Sequence, residues 1–236
     1  MKPRILITGP IAELPRWADA ARAQGWNPIV YPLLEVRHRL VHLSLELESE
    51  PDWICVTSKH AVRFLEDHKE VLCSIPCAAV GVATARRLEA SGFEVRLIGP
   101  RAATDLVELL VKREDRPRHV LWPRGSISDE LEHMLLSRGI AVCAPIVYET
   151  NERVDCGSLP KAEVVFFASP SAVRAYSRRI AMGESLSPCA ISIGPATVRS
   201  LASPDTATFE RVIELPDPEP NDLGLCLVGL ELNWPD

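Results

Sequence analysis

The sequence predicts an α/β protein built from two similar parallel-sheet domains. Two observations support this class. Short apolar runs alternate with stretches of helical length, and several of these stretches end in glycine, as at Gly92 and Gly139. Four sequence blocks also recur in one order along the 236-residue chain. Alternating strands and helices favour right-handed crossovers and parallel sheets, and the ordered repeat indicates a duplicated unit.

The predicted strands are nearly continuous apolar runs. They are ILIT, WICVT, CAAVGV, EVRLIG, HVLWP, VVFFAS and AISIG. Such runs are typical of strands buried on both faces of a parallel sheet. The predicted helices between them include HAVRFLEDH, TARRLEASG, DELEHMLLSRG and SAVRAYSRRI.

The repeat is clearest at PIVY, which occurs at residues 28–31 and again at 145–148, an offset of 117. The next block pairs TSKHAV with ASPSAV at an offset of 111, from Ala61 to Ala172. CAAVGVAT then pairs with CAISIGPAT, and AATDLVELL with EPNDLGLCL. Loop insertions explain the drift in offset.

The composition excludes several classes of protein. A net charge of −6 does not favour nucleic-acid binding, and no apolar run is long enough to cross a bilayer. MKPRILITGP is interpreted as a first strand and not as a signal peptide. Seven cysteines without a CxxC pair indicate reduced thiols and a cytoplasmic location. No metal site is expected.

Hydroxyl residues stand where predicted strands lead into helices. The candidates are Thr57, Ser58, Thr84, Ser169, Ser171 and Thr197, with Gly194 opening the GPAT turn. Pro170 fits the first position of a helix. In a parallel sheet these turns share the carboxyl edge, where amide N–H groups and hydroxyls bind anions. The alternative, that each hydroxyl only caps its own helix, stays open.

Two further residues are candidates. Arg124 in WPRGSISDEL follows a strand and precedes a helix that Ser126 or Ser128 would cap. It would stand at the ligand edge or be a solvated loop residue. Tyr148 ends the second PIVY strand, where half-buried packing is the ordinary role of a tyrosine.

The chain resembles uroporphyrinogen-III synthase over nearly its whole length. The resemblance rests on TSKHAV, AVGVAT, the WPRG loop, VYET, FFASPSAV and SIGPAT in that chain order. The repeat alone would also allow tandem domains, 1–118 and 119–236. The resemblance instead implies flavodoxin-like domains: a discontinuous one of residues 1–33 and 152–236, and an inserted one of residues 38–146. Antiparallel linker strands at about 34–37 and 147–151 would form a hinge.

The resemblance also implies a reaction. Hydroxymethylbilane, a linear tetrapyrrole, loses water and closes through a spiro intermediate to uroporphyrinogen III, with the last pyrrole ring inverted. This step serves porphyrin and haem biosynthesis, and the end product is left open. No metal or organic cofactor, no membrane and no nucleic acid are expected. A cytoplasmic monomer is expected, in transient contact with the enzyme that precedes it in the pathway.

Roles for individual residues follow from the matched motifs. Tyr148 is expected to hydrogen-bond the departing hydroxyl. The expected substrate-binding residues are Thr57, Ser58, Thr84, Arg124, Ser169, Ser171, Gly194 and Thr197. Two residues depart from the family pattern: Gly9 stands where arginine is common, and Ala168 where threonine is common. Either Arg124 or another basic group would then supply the missing charge, or carboxylate binding at this loop would be weaker.

A non-enzymatic two-domain protein that binds or senses a small molecule remains the alternative function. A nucleotide-binding enzyme is less favoured, because the chain contains neither GxGxxG nor GxxxxGK[ST].

Overall fold

The computed structural model describes residues 2–43, 49–100, 102–127, 129–181 and 187–231. The chain divides into two compact units. The first unit contains Met1–Glu35 and Asn151–Asp236, and the second contains Val36–Thr150. In the described parts of the chain, no helix is both long and apolar enough to span a membrane.

The first unit is a parallel sheet with helices. Its strands are β1 (Arg4–Pro10), β2 (Asn27–His38, which continues into the second unit), β10 (Val164–Phe167), β11 (Cys189–Ser192) and β12 (Arg211–Glu214). Its helices are α1 (Leu14–Ala23), α7 (Pro170–Ala181), α8 (Pro195–Leu201) and α9 (Pro220–Glu231). The strand order is β2-β1-β10-β11-β12, all parallel.

The second unit repeats this plan with the chain entering at a different strand. Its strands are β3 (Trp53–Val56), β4 (Cys77–Val80), β5 (Val95–Gly99), β6 (His119–Leu121), β7 (Arg124–Gly125), β8 (Ala141–Cys143) and β9 (Ile146–Glu152, which ends in the first unit). Its helices are α2 (Val62–Asp67), α3 (Lys69–Leu72), α4 (Val82–Ala90), α5 (Ala103–Val111) and α6 (Glu130–Ser137).

Five strands of the second unit, without β7 and β9, form a sheet of the order β8-β6-β3-β4-β5. Both sheets therefore have the flavodoxin-type order, in which the chain runs outward in both directions from one inner strand, β1 or β6. At the point where the order reverses, β1 lies beside β10, and β6 lies beside β3. The carboxyl ends of these strand pairs are where open α/β sheets bind ligands.

Each sheet is covered on both faces by an apolar core. In the second unit, Ile54 and Val56 of β3 point into one cluster, and Trp53 and Cys55 point into the other. In the first unit, Ile5 lies in one cluster and its neighbour Leu6 lies in the other. Because successive strand residues point to opposite faces, a strand buried on both sides must be apolar throughout. This explains the uninterrupted apolar runs of the sequence.

The two predicted linker strands are paired through backbone hydrogen bonds. In the first unit, the Arg153 N–H donates to Leu33 O at 2.9 Å, and in the second the Arg39 N–H donates to Val147 O at 2.9 Å. The pairing runs in opposite directions along the two segments, as antiparallel strands require. The predicted α/β class, with one discontinuous domain and a two-stranded linker, is confirmed.

Candidate functional site

The turn after β3 places Thr57 and Ser58 at the carboxyl edge of the second unit. Ser58 is extended and caps the 3₁₀ turn Lys59–Ala61, its Oγ accepting from the His60 N–H at 3.3 Å. Thr57 Oγ1 accepts a hydrogen bond from Trp122 Nε1 at 3.2 Å. Both residues are half-buried, so each hydroxyl makes a contact within the protein while part of the residue stays exposed to solvent.

Arg124 extends from the neighbouring strand end. Its guanidinium carbon lies 5.6 Å from the Trp122 ring centre, and Nη2 is 3.8 Å from a Glu132 carboxylate oxygen. Only 15% of the side chain is exposed. The helix that follows, α6, begins after Asp129, which makes no side-chain cap hydrogen bond, and Ser126 lies in the preceding turn. The prediction that Ser128 caps this helix falls outside the described residues.

Tyr148 lies against the strand of Arg124. Gly125 pairs with Tyr148 across β7 and β9, and a Cβ at Gly125 would stand 2.7 Å from the tyrosine ring. Burial raises the pKa of Tyr148, and a hydrogen bond with the Ser58 hydroxyl offsets part of that rise. The phenol is therefore protonated at neutral pH and can donate a hydrogen bond.

The two PIVY tyrosines have different surroundings. Tyr31 is 4% exposed, and its hydroxyl donates to Gly157 O at 2.8 Å. Tyr148 is half-buried, with Ser58 as a hydroxyl partner. The sequence repeat makes these residues equivalent, whereas the structure uses Tyr31 for packing and leaves Tyr148 accessible.

Thr84 follows the second turn of this unit. Gly81 precedes α4 with φ +77°, a conformation that favours glycine, and its N–H donates to Gly99 O at 2.9 Å. Thr84 lies in the first helical turn and is 7% exposed. A glycine is favoured at position 81 because of this backbone conformation. Close packing does not require it, since a Cβ there would meet nothing nearer than 3.9 Å.

Ser169 and Ser171 stand at the equivalent turn of the first unit. Ser169 Oγ accepts from the Ala172 N–H at 3.2 Å, and Pro170 begins α7 as expected. Ser171 Oγ accepts from Arg174 Nη2 at 3.1 Å. This turn therefore combines hydroxyls, backbone N–H groups and a guanidinium.

Gly194 and Thr197 lie at the next turn of the first unit and are both buried. The Gly194 N–H donates to Ser192 Oγ at 3.2 Å, and Ser192 Oγ donates to Gly194 O at 2.9 Å. Thr197 is 1% exposed, and its N–H donates to Gly194 O. These contacts stabilise the turn and leave little polar surface for a ligand.

The strand registers show which residue of the second copy matches Gly9. Ile5 pairs with Val164 in the first unit, and Val120 pairs with Trp53 in the second. Trp53 and Val164 are 111 apart, as the repeat requires, so Ile5 corresponds to Val120. Four residues later, position 9 corresponds to position 124. The first copy thus has glycine where the second has arginine.

Glycine at position 9 fits its surroundings. Its φ is +147°, and a Cβ there would stand 3.0 Å from Ala168 Cβ. Gly9 and Ala168, the two departures from the family pattern, therefore lie against each other. In the second unit their counterparts are Arg124 and Thr57. The polar version of this turn is found in the second unit and the apolar version in the first.

Two kinds of residue were missed from the sequence. The His60 ring lies 5.6 Å from the Tyr148 ring, centre to centre, although His60 is simply the counterpart of Ser171 in the repeat. The second kind is the pair of equivalent arginines Arg63 and Arg174, to which the sequence motifs assign no role. Matching each candidate with its repeat partner would have found His60.

The second unit thus brings together Thr57, Ser58, Arg124 and Tyr148 through Trp122 and Gly125. Nearby, partial removal from water lowers the pKa of His38, Arg63 and His60 lower it further, and Asp67 opposes these effects. Among the residues the structure describes, no three His, Cys, Asp or Glu side chains are grouped to hold a metal. The chemistry available is hydrogen-bond donation and anion binding.

Comparison with known proteins identifies the family. Residues 15–213 match the model of uroporphyrinogen-III synthase HemD. The chain belongs to the uroporphyrinogen-III synthase family. A search of curated proteins finds no significant match.

Solved structures give the fold. A mutant uroporphyrinogen III synthase from the extremely thermophilic bacterium Thermus thermophilus is 16% identical, with a TM-score of 0.65, over 96% of this chain and 98% of that one. Another structure of Thermus thermophilus uroporphyrinogen III synthase is 17% identical to this chain. The match covers 98% of this chain and 99% of that one, with a TM-score of 0.48.

The family confirms the predicted activity. The chain is an enzyme of tetrapyrrole biosynthesis that cyclises hydroxymethylbilane to uroporphyrinogen III. The alternative of a non-enzymatic binding protein is therefore set aside.

Proposed function

We propose that the Thr57, Ser58, Arg124 and Tyr148 cluster binds the hydroxymethyl end of hydroxymethylbilane and assists departure of its hydroxyl. The observation that supports this most directly is the half-buried phenol of Tyr148 with Ser58 as its partner. Departure of hydroxide is difficult unless a proton or hydrogen bond is supplied to the oxygen as the C–O bond breaks. The Tyr148 O–H supplies that hydrogen bond.

Its protonation state suits this role. A phenol with its pKa raised by burial remains a hydrogen-bond donor across the physiological pH range. Ser58 Oγ accepts from the His60 N–H, so its own proton is free to point toward the Tyr148 oxygen. Tyr148 can then direct its proton to the substrate.

Substrate carboxylates are bound by charge and by helix starts. Arg124 and Thr57 bind carboxylate in the second unit, and Ser169 and Ser171 do so in the first with Arg174 beside them. Thr84, Gly194 and Thr197 support these turns from within and have at most a minor direct contact. We assign them this supporting role because all three residues are buried.

The catalytic task is mainly one of orientation. The resemblance implies that the substrate also closes unaided to the isomer without ring inversion. The enzyme must therefore hold the chain so that the terminal carbon meets the substituted position, and holding reactants in geometry is a large source of rate. Removal of one hydrogen-bond donor is expected to slow turnover without abolishing it.

The proposal also includes a cellular setting. Seven cysteines without a CxxC pair support a cytoplasmic location. A monomer that receives its unstable substrate in transient contact with the preceding enzyme would fit this setting.

The test uses freshly prepared hydroxymethylbilane. Purified protein is added, the products are oxidised, and type I and type III uroporphyrins are separated and quantified. Type III must dominate with the wild-type chain, and type I alone would refute the activity. Arg124→Gln is expected to raise KM, whereas Arg96→Gln, which removes an exposed guanidinium paired with Glu94, is the matched control.

A further inference from the structure

We infer that His60 is a positioning residue for Tyr148, and that its imidazole ring holds the phenol in the orientation that turnover requires. The inference rests on the proposed role of Tyr148. His60 belongs to the turn after β3 and Tyr148 belongs to β9, so their contact joins segments distant in sequence.

The contact has the geometry of an aromatic pair. The ring centres are 5.6 Å apart, and the ring planes are tilted by 56°. This falls within the distance range where aromatic rings attract each other beyond simple burial. Both rings are half-buried, so the pair is ordered by packing and still accessible at one side.

His60 also acts on the partner of Tyr148. Its backbone N–H donates to Ser58 Oγ, and Ser58 is the hydroxyl that hydrogen-bonds Tyr148. The tyrosine is thus fixed at its ring by the imidazole and at its oxygen by Ser58. Gly125 also lies beside the Tyr148 ring, where any side chain at position 125 would collide with it.

These contacts distinguish His60 from a residue that binds the substrate independently. A positioning residue changes the fraction of time that the Tyr148 hydroxyl is correctly placed, which alters kcat. A direct carboxylate ligand would mainly change KM. If His60 acts through Tyr148, its effect must disappear when the Tyr148 hydroxyl is absent.

The experiment compares wild type, His60→Ala, His60→Phe, Tyr148→Phe and the double variant His60→Ala with Tyr148→Phe. The measured quantities are kcat, KM and the ratio of type III to type I product. Loss of the ring pair corresponds to a fall in kcat of about two- to tenfold for His60→Ala, with KM nearly unchanged. His60→Phe retains a ring and is expected to recover most of kcat.

The double variant decides between direct and indirect action. Non-additivity, in which His60→Ala costs nothing further in the Tyr148→Phe protein, supports the inference. Full additivity, an effect on KM alone, or no effect of His60→Ala overturns it. His133→Ala removes an exposed imidazole of the same unit and serves as the control.

Thermal melts check that each variant is folded, and His60→Gln replaces His60→Ala if the alanine variant fails to fold.

The experiment can refute the role of Tyr148 and the role of His60 separately. If Tyr148→Phe keeps full activity, the leaving-group role is wrong. If Tyr148→Phe is slow and His60→Ala is normal, only the positioning role of His60 is wrong.

Discussion

The substitution Gly125→Ala tests the placement of Tyr148 without touching a hydroxyl or a charge. A Cβ at position 125 would lie 2.7 Å from Cε2 and Cζ of Tyr148 and 3.0 Å from its hydroxyl oxygen. Gly125 does not have the positive φ that would strain an alanine in its own right. The change therefore acts on the tyrosine ring.

The size of the effect follows from the contact distance. Ordinary contact begins at 3.4 Å, so the ring must retreat by about 0.7 Å. Overpacking of this kind costs about 1–3 kcal/mol, and we expect the lower end because the ring is half-buried and can move outward. A displacement approaching 1 Å at a reacting group lowers rates by about 10²-fold. We expect kcat to fall by about ten- to a hundredfold.

The assay is the cyclisation of fresh hydroxymethylbilane with product isomers separated, accompanied by urea unfolding. Gly229→Ala is the matched control, because a Cβ at this position in α9 meets nothing within 4 Å. It should keep full activity and lose no stability. Wild-type kcat in Gly125→Ala, in a folded protein, would show that the position of Tyr148 is unimportant.

Three further predictions follow from the same contacts. Because burial raises its pKa, Tyr148 stays protonated beyond the pH at which an ordinary tyrosine ionises. An alkaline fall in kcat should appear only above that pH and vanish in Tyr148→Phe, and a fall that survives this substitution would contradict the assignment. Ser169→Ala removes the hydrogen bond to the Ala172 N–H and should lower the free energy of unfolding by about 1 kcal/mol; Ser169→Asp, also a good cap, should restore most of it in urea titrations. Cys73 is exposed, whereas burial raises the pKa of Cys77 to about 12, so iodoacetamide should label Cys73 in the native protein and Cys77 only after unfolding; equal rates would count against the described core.

Much of the fold could be predicted from the sequence because burial constrains residue type. Strands covered on both faces must be apolar throughout, and this produced the runs at Trp53–Val56 and Val164–Phe167. The turns were also recognisable, since Ser169 and Pro170 favour a helix start. The crosswise pairing was not derivable from residues alone, because the same strands could pair within tandem halves.

The candidate site was harder to predict because hydroxyls at helix starts have two roles. Thr197 and Ser58 both follow a predicted strand near a helix start, yet the first is buried and the second is half-buried. Tyr31 and Tyr148 share the same four-residue motif, and only their long-range partners separate them. Such partners come from the tertiary fold, which local sequence patterns do not contain. His60 was missed for the same reason.

The equivalent turns of the two repeat copies carry different side chains. The second copy has Arg124 and Thr57 at the positions where the first has Gly9 and Ala168. An arginine at position 9 would face a φ of +147° and a Cβ contact of 3.0 Å with Ala168. Restoring it would therefore require the backbone of that turn to change. In the first unit a guanidinium lies one turn into α7, where Arg174 donates to Ser171, and the repeat counterpart of Arg174 in the second unit is Arg63. Both copies thus keep a guanidinium near the carboxyl edge of their sheet, and this arrangement suits a substrate with many carboxylates.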